Sequence, residues 1–335
     1  MREATSADAP EIVALLHRAY EEYRGALDPP SGALEETESS VRALLDREDA
    51  LVTVADGRVV GCVFCGLNKK DGSAESAWLH RLAVHPDLRG CGLGSRLTAV
   101  AEERALAAGR REIALGVRIA LPANHRFYHQ LGYHIVAAKT HEGYAWPTYY
   151  VMQKSLTPLP KTEQRLVEVV PYDPDWPHMF AKAAVRLRAI FGDELVAVHH
   201  IGSTAIVGIH AKPIIDMLPV VRDIRMADAR IPDLIDLGYQ PLGEHGIPRR
   251  RYFRRLEGNR HTHHLHFFAP GDPEVARHVD FCAYLNAHPR DAHRYGELKQ
   301  RLAARHLHDI NAYINGKNAL IRELDAKARV WREAQ

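Results

Sequence analysis

Three closely spaced glycines in the first half of the chain form the pattern that most clearly indicates chemistry. The run Arg89–Gly94 reads Arg-Gly-Cys-Gly-Leu-Gly and lies between a predicted strand and a predicted helix. Glycines let backbone amides approach an anion closely, and the start of a helix offers unpaired N–H groups at the positive end of its dipole. We therefore expect a diphosphate to bind here. The spacing is neither the G-x-G-x-x-G of dinucleotide-binding folds nor a Walker loop, which would end in Gly-Lys-Ser/Thr.

The surrounding stretch, LHRLAVHPDLRGCGLGSRL, resembles the coenzyme-binding motif of the GNAT family of N-acetyltransferases. The resemblance covers about residues 1–155. It implies the α/β acyl-CoA N-acyltransferase fold of that family, with acetyl-CoA as the cofactor. It also implies that the backbone of Leu82 and Val84 contacts the pantetheine arm. The residues that it implies for the diphosphate are Arg89, Gly90, Gly92, Gly94 and Ser95.

A second stretch, Asn124–Tyr128 followed by Leu131–Tyr133, resembles the last motif of the same family. In many members an Asn at this place contacts the coenzyme and a Tyr gives a proton to the departing thiolate, which implies these roles for Asn124 and Tyr128. The chemistry is reasonable, because a phenol has a pKa of about 10 and a thiol of about 8.5. The alternative for Tyr128 is a half-buried aromatic side chain of a helix.

The base that removes a proton from the acceptor amine is less well defined. His80 lies beside the end of a predicted strand and has an intrinsic pKa suited to the task, and Glu75 offers a carboxylate that can act through water. His80 is equally consistent with a strand residue that faces solvent or the core. None of the four cysteines has the neighbouring base that a covalent acetyl-enzyme needs, so we expect direct attack by the amine.

The sequence leaves the acceptor open. We expect a primary amine of a small molecule, with a protein or peptide amine as an alternative. Tyr20, Tyr23 and the loop at Asp28 lie where GNAT proteins usually recognise their acceptors. Two other functions stay open: a sensor that binds acetyl-CoA or a nucleotide without catalysis, and a bifunctional acetyltransferase and nucleotidyltransferase.

The second half carries a different pattern, Gly202-Ser203 in a predicted loop and Lys212-Pro-Ile-Ile-Asp216 at a predicted strand. It resembles the GrpB family, related to the nucleotidyltransferases, over about residues 165–330. In nucleotidyltransferases a Gly-Ser turn contacts phosphate, and a strand carries two carboxylates that hold Mg²⁺. Here Asp216 occupies the first carboxylate position and Leu218 the second. The resemblance implies a phosphorylated ligand, with nucleotide and Mg²⁺ at Asp216 as open alternatives.

His264 and His266 project to one face of a predicted strand, because side chains alternate along a strand. With Asp216 they could bind a transition metal, or they could form a polar, hydrogen-bonded face. Asp280 offers a second carboxylate if its helix turns it inward. The arginines that we expect either to bind phosphate or to face solvent are Arg249, Arg250, Arg251, Arg254 and Arg255.

The elements that must position these residues alternate between strands and helices, which indicates an α/β (α+β) protein. We expect a GNAT domain over 1–156, a linker over 157–164 that contains two prolines, and a nucleotidyltransferase-like α/β domain with C-terminal helices over 165–335.

Composition excludes several classes of partner. The chain has 335 residues, with 44 Lys and Arg against 42 Asp and Glu, so it lacks the positive field that nucleic-acid binding uses. No apolar run is long enough to span a bilayer, and no signal peptide is evident. Four cysteines do not suggest a disulfide framework, so we expect a cytoplasmic protein. A homodimer is left open.

Overall fold

The computed structural model describes residues 1–67, 76–157 and 167–335. The chain divides into two compact units, Met1–Pro160 and Lys161–Gln335. Glu75 and all but the first residue of the expected linker lie outside the described residues. Within the described ranges, no helix combines the length and the apolar composition needed to cross a membrane.

The N-terminal unit is a mixed sheet with the strand order β1-β2-β3-β4-β5-β7-β6 and helices packed against it. The strands are β1 (Arg2–Glu3), β2 (Asp49–Ala55), β3 (Arg58–Gly66), β4 (Ser76–Val84), β5 (Glu112–Arg118), β6 (His134–Lys139) and β7 (Tyr149–Ser155). The helices are α1 (Ala9–Tyr20), α2 (Glu38–Leu45), α3 (Leu93–Ala107) and α4 (Pro122–Gln130).

Helix α1 covers the first part of this sheet because its apolar residues repeat at helical spacing. Ile12, Leu15, Leu16 and Ala19 are at most 4% exposed and pack in one cluster with Phe64 of β3. Truncating a fully buried leucine such as Leu16 to alanine would cost about 2–5 kcal/mol. The helix therefore fixes the position of its C-terminal residues beside β4.

The two central strands, β4 and β5, run parallel and then separate. Ser76–Leu79 pair with Glu112–Leu115, and no pairing of β4 with β5 is recorded beyond Leu79 among the described residues. Arg81 has a positive φ of 51°, which bends β4, and the pairing of β3 with β4 shifts register at the same place. The last residues of β4 and of β5 thus become the two walls of a cleft.

The C-terminal unit is a five-stranded sheet with the order β10-β11-β12-β9-β8. Its strands are β8 (Leu195–Ile201), β9 (Ile215–Val221), β10 (Tyr239–Pro241), β11 (Arg251–Glu257) and β12 (Arg260–Phe267). Its helices are α5 (Trp176–Phe191), α6 (Arg225–Ala229), α7 (Ile231–Asp236), α8 (Pro273–Ala287), α9 (Pro289–Arg305) and α10 (Ile310–Glu333).

Helices α8, α9 and α10 cover one face of this sheet. Leu218 and Phe268 from the sheet region share an apolar cluster with Tyr295 of α9 and Leu324 of α10, all at most 5% exposed. Leu218 therefore occupies the core, where a carboxylate would have to be buried at high cost. Asp216 lies two residues earlier on β9 and marks the edge of that core.

Candidate functional site

A cleft of about 560 Å³ opens where β4 and β5 separate. Its volume is in the range of small-molecule and cofactor sites. It brings together every residue that the sequence indicated for the coenzyme, and the expected acid as well. These residues are Leu82, Val84, Arg89, Gly90, Gly92, Gly94, Ser95, Asn124 and Tyr128.

The glycine loop forms the floor of one end of the cleft. Gly90 and Gly92 have φ angles of +78° and +83°, a backbone conformation that side chains disfavour. No atom lies within 4 Å of a Cβ built on either glycine, so the space beside the loop is open. Gly92 also precedes the first turn of α3, whose N–H groups have no partner within the helix. This cradle fits a diphosphate.

Arg89 has other partners in this structure. Its guanidinium donates to the Glu22 carboxylate and to the Ala19 carbonyl oxygen, the second at 2.6 Å. The side chain is exposed, so both contacts are accessible to solvent and individually weak. Arg89 would have to exchange the Glu22 contact to hold a phosphate.

The end of β4 exposes backbone groups to the cleft because it no longer pairs with β5. The Leu82 carbonyl oxygen accepts a hydrogen bond from the Tyr20 hydroxyl at 3.1 Å, which ties the end of α1 to this wall. A carbonyl oxygen has a second lone pair. Leu82 and Val84 both line the cleft, as contact with a pantetheine arm requires.

Tyr128 lies on α4 and packs edge-to-face against Phe127 and Tyr133, with ring centroids 4.9 and 5.6 Å apart. Burial raises the pKa of Tyr128 far above its usual range, and the nearby Tyr20 raises it further. The phenol is therefore protonated at neutral pH and can donate a proton into the cleft. Asn124, one turn earlier, hydrogen-bonds to the Tyr23 hydroxyl.

His80 is not among the described residues that line this cleft. Its Nε2 lies 2.5 Å from a Glu48 carboxylate oxygen, and its ring packs near Phe64 on the neighbouring strand. The role of His80 as a base stays a prediction, and the structure pairs it with Glu48 outside the cleft lining. Glu75, the other expected base, is outside the described residues.

Arg118, which the sequence did not single out, lines the cleft at the end of β5. Its Nε is buried and has no hydrogen-bond partner among the described residues. Burial lowers the pKa of Arg118, while Tyr144 and Asp28 nearby raise it. Asp28 itself accepts a hydrogen bond from the Tyr144 hydroxyl. Arg118 thus presents a positive charge to the cleft with donor capacity to spare.

The C-terminal candidate site is centred on Asp216. The parallel pairing of β9 with β12 places Asp216 directly beside His264. Asp216 Oδ1 accepts a hydrogen bond from His264 Nδ1 at 2.9 Å and lies 3.6 Å from His266 Nε2. Burial opposes the charge of Asp216, but the two histidines outweigh it and hold the pKa of this carboxyl well below its usual range.

Gly202 is required beside this carboxylate. A Cβ at Gly202 would lie 2.5 Å from Asp216 Oδ2, and the residue has a φ of +70°. Both the contact and the backbone conformation exclude a side chain. The Gly202-Ser203 turn and Asp216 therefore form one compact unit, as the sequence motif indicated.

Asp216, His264 and His266 offer ligand atoms within 4.8 Å of one another. A histidine that binds metal through one ring nitrogen normally donates the other N–H to an acceptor. Here His266 Nδ1 lies 3.1 Å from Arg250 Nη1, and a guanidinium can only donate. The proton of His266 must then be on Nε2, facing Asp216. In this arrangement neither ring nitrogen of His266 offers a lone pair to a metal, and Nε2 lies 3.6 Å from Asp216 Oδ1 without a hydrogen-bond partner among the described residues.

The five arginines at and just before β11 do not converge on Asp216 in the described contacts. Arg250 contacts one of its histidine partners, His266. The other side chains pair with Asp272 (Arg249), Asp228 (Arg251), Gln240 (Arg254) and Glu257 (Arg255). Asp280 also points away from Asp216, because its carboxylate pairs with Arg332 of α10 at 2.7 Å. The α8 side chain that contacts Gly202 is that of Cys282. The condition under which Asp280 would supply a second carboxylate is therefore not met in this structure.

Comparison with known proteins divides the chain at the same place. The family model "GrpB protein" matches residues 166–327, and the model "Acetyltransferase (GNAT) family" matches residues 11–133. The UPF0157 protein BH1888 of Halalkalibacterium halodurans is 31% identical over 192 residues, which are 53% of this chain and 97% of that protein.

Two further relatives illustrate the halves. The UPF0157 protein YqkA of Bacillus subtilis is 43% identical over 172 residues, and the match spans about half of each protein, 51% of this chain and 50% of YqkA. The PaiA N-acetyltransferase of Thermoplasma acidophilum, solved in complex with coenzyme A, is 17% identical with a TM-score of 0.38, over 46% of this chain and 96% of that chain.

Proposed function

The chain belongs to the GrpB family through its C-terminal domain and carries a GNAT N-acetyltransferase domain before it, and from this premise we propose a specific reaction for the first domain. It transfers an acetyl group from acetyl-CoA to a primary amine of a small molecule. The observation that supports this proposal is that one cleft joins the glycine loop, the exposed edge of β4 and the Tyr128 hydroxyl.

Different residues of the cleft would bind the coenzyme and donate the proton in acetyl transfer. Acetyl-CoA, when bound, supplies a thioester whose carbonyl carbon the amine attacks. Gly90, Gly92 and the first turn of α3 would hold the diphosphate, and Leu82 and Val84 would orient the pantetheine arm. Tyr128 would protonate the departing sulfur, because its phenol is protonated at neutral pH and its side chain lines the same cleft.

The cysteines favour direct attack over a covalent acetyl-enzyme. Cys62 and Cys65 are buried, and burial raises the pKa of each thiol to about 12. Cys91 is exposed, but its thiol contacts the Leu88 carbonyl and no base. Cys282 belongs to the other domain. A nucleophilic cysteine needs an adjacent base that forms the thiolate, and no such base is recorded in contact with these thiols among the described residues.

Arg118 favours an acceptor that carries an acidic group as well as an amine. Its guanidinium lines the cleft and has a buried Nε without a partner among the described residues. A carboxylate or phosphate on the acceptor would supply that partner in a bidentate arrangement. A polycationic amine would instead place like charges together.

The test of the proposed cofactor site is calorimetry with acetyl-CoA on wild type and two glycine variants. Gly92→Glu places a carboxylate in the diphosphate cradle, so we expect binding to become undetectable. Gly109→Glu is the matched control, because Gly109 also has a positive φ, of 79°, and open space, but ends the same helix at its far end. Absence of binding by wild type, or equal binding by both variants, would refute the proposal.

A screen of acceptor amines then tests the reaction. Thiol release is measured with amines that differ only in the presence of a carboxylate or phosphate. We expect faster turnover with the acidic amines. Failure of every small amine, with transfer to a peptide N-terminus or lysine, would favour the protein-acceptor alternative. Binding of acetyl-CoA without transfer to any amine would favour a sensor.

For the C-terminal domain we propose binding of a phosphorylated ligand at the Gly202-Ser203 turn beside Asp216, without efficient nucleotidyl transfer. Mg²⁺ uses few protein carboxylates and several waters, so Asp216 alone could hold it, but the second carboxylate of a paired-metal site is absent at Leu218. Transfer of a labelled nucleoside monophosphate in the presence of Mg²⁺, abolished by Asp216→Asn, would instead establish the bifunctional alternative.

A further inference from the structure

A buried amine without a partner lies in the C-terminal domain. Lys299 of α9 is 1% exposed, and its Nζ has no hydrogen-bond partner among the described residues. Burying an ammonium group without a partner is strongly unfavourable, so such a residue calls for a ligand or another reason to be retained.

Two further lysines point their amines into the same region. Lys212 comes from the loop before β9 and Lys317 from α10, and their Nζ atoms lie 5.5 and 4.5 Å from the centroid of the Tyr313 ring. Lys299 Nζ lies 4.5 Å from the centroid of the neighbouring Tyr295 ring. Burial and the charges of Lys317 and Lys212 lower the pKa of Lys299 to about 6.

The three lysines differ in their exposure to solvent. Lys299 is fully buried, whereas Lys212 and Lys317 are half-buried. The Tyr295 hydroxyl is hydrogen-bonded to the Ser203 side chain, which connects the lysines to the Gly202-Ser203 turn. Neither Lys299 nor Lys317 forms an ion pair with any carboxylate in the described ranges, although the charge of Asp216 acts on Lys317. Positive charge therefore exceeds negative charge here.

We propose that Lys212, Lys299 and Lys317 form an oxyanion pocket that receives a phosphate dianion of the ligand. This inference rests on the proposed phosphorylated ligand and deepens it by assigning the residues that bind the phosphate. A phosphate carries close to two negative charges and three acceptor oxygens, so it can accept hydrogen bonds from three lysine side chains, and its charge would favour the protonated form of Lys299. The side chains of Lys299 and Lys317 come from the last two helices, so the ligand would join those helices to the sheet.

The test uses calorimetry on the full chain with Gly92→Glu in every protein, so that the glycine loop of the first domain does not contribute. Inorganic phosphate, pyrophosphate and ATP are titrated separately. We expect pyrophosphate to bind, and Lys299→Met to weaken that binding by about 10- to 100-fold, the effect of losing a charged hydrogen bond. The control is Lys327→Gln, which removes an exposed lysine of α10 that pairs with Asp291.

The three titrations distinguish the possible sources of the phosphate. Binding of phosphate and pyrophosphate as well as ATP supports a general dianion pocket. Binding of ATP alone supports a nucleotide whose base is also recognised. In both cases Lys299→Met must weaken the binding. Equal binding by Lys299→Met overturns the pocket but leaves the phosphorylated ligand in place. No binding by any protein overturns both. If Lys299→Met fails to fold, Lys317→Met supplies the same test at a half-buried position.

Discussion

Replacing Lys299 with methionine should make the ligand-free protein more stable, and the gain should depend on pH. Methionine preserves the length of the side chain but carries no charge. The ordinary pKa of lysine is 10.5, and burial followed by the charges of Lys317 and Lys212 lowers it to about 6 in the folded chain. The unfolded chain therefore binds this proton more tightly, and folding at neutral pH has to expel it.

The size and sign of the effect follow from linkage. Each pH unit between pH 7 and the ordinary pKa of 10.5 corresponds to about 1.4 kcal/mol, so the destabilisation by Lys299 at pH 7 is on the order of 5 kcal/mol. The penalty is largest below pH 6, decreases as the pH rises through the window, and disappears above 10.5. Lys299→Met should thus gain most over wild type near pH 6 and progressively less toward pH 10.

Urea unfolding at several pH values between 6 and 9 measures this difference. Wild type, Lys299→Met and the exposed control Lys327→Gln are compared without phosphate in the buffer. We expect the stability gap between wild type and Lys299→Met to shrink by about 1.4 kcal/mol for each unit of rising pH. A less stable Lys299→Met protein, or a gap that is constant with pH, would show that Lys299 has a partner in the folded protein and would refute the reasoning.

The remaining predictions concern the acetyltransferase cleft. Tyr128→Phe should lower kcat by about 100-fold with little change in the affinity for acetyl-CoA, because a proton donor is lost while the ring packing is retained; steady-state kinetics with an unchanged kcat would remove Tyr128 from the mechanism. Arg118→Gln should raise KM for acidic amines by about 10-fold, the loss of one charged hydrogen bond, and should leave KM for neutral amines unchanged; an equal effect on both sets of amines would contradict the proposed contact.

Local sequence was sufficient where a site is built from consecutive residues. The run Arg89–Ser95 combines the end of a strand, a glycine loop and the first turn of a helix, and each step has a recognisable composition. The structure accordingly brings Arg89, Gly90 and the residues 92–95 of that run to one cleft. The hairpin of β11 and β12 was recognisable for the same reason, because Gly258-Asn259 separates two strand-like runs.

Pairing between distant segments was not readable in the same way. The separation of β4 from β5 opens the cleft and depends on a bend at Arg81. Positive φ angles are usually signalled by glycine, so this bend is not predictable from the residue type. The sequence left open which way Asp280 points, because its partner Arg332 comes from α10, which is distant along the chain. His80 looked suited to catalysis by residue type, but its partner Glu48 comes from the residue before β2.

The proposed lysine pocket differs from the two-carboxylate metal site of nucleotidyltransferases, because the second carboxylate position is occupied here by Leu218 of the core. In nucleotidyltransferases two carboxylates gather Mg²⁺, and the metal then neutralises the phosphates. Leu218 is fully buried here, so that route lacks one ligand, while Asp216 Oδ1 already accepts a hydrogen bond from His264. In the proposed site, amines from three segments of the chain would supply the neutralising charge instead. Such a site can bind phosphate without a metal, but it offers no second cation to stabilise a leaving pyrophosphate, which is the physical reason to expect binding rather than transfer.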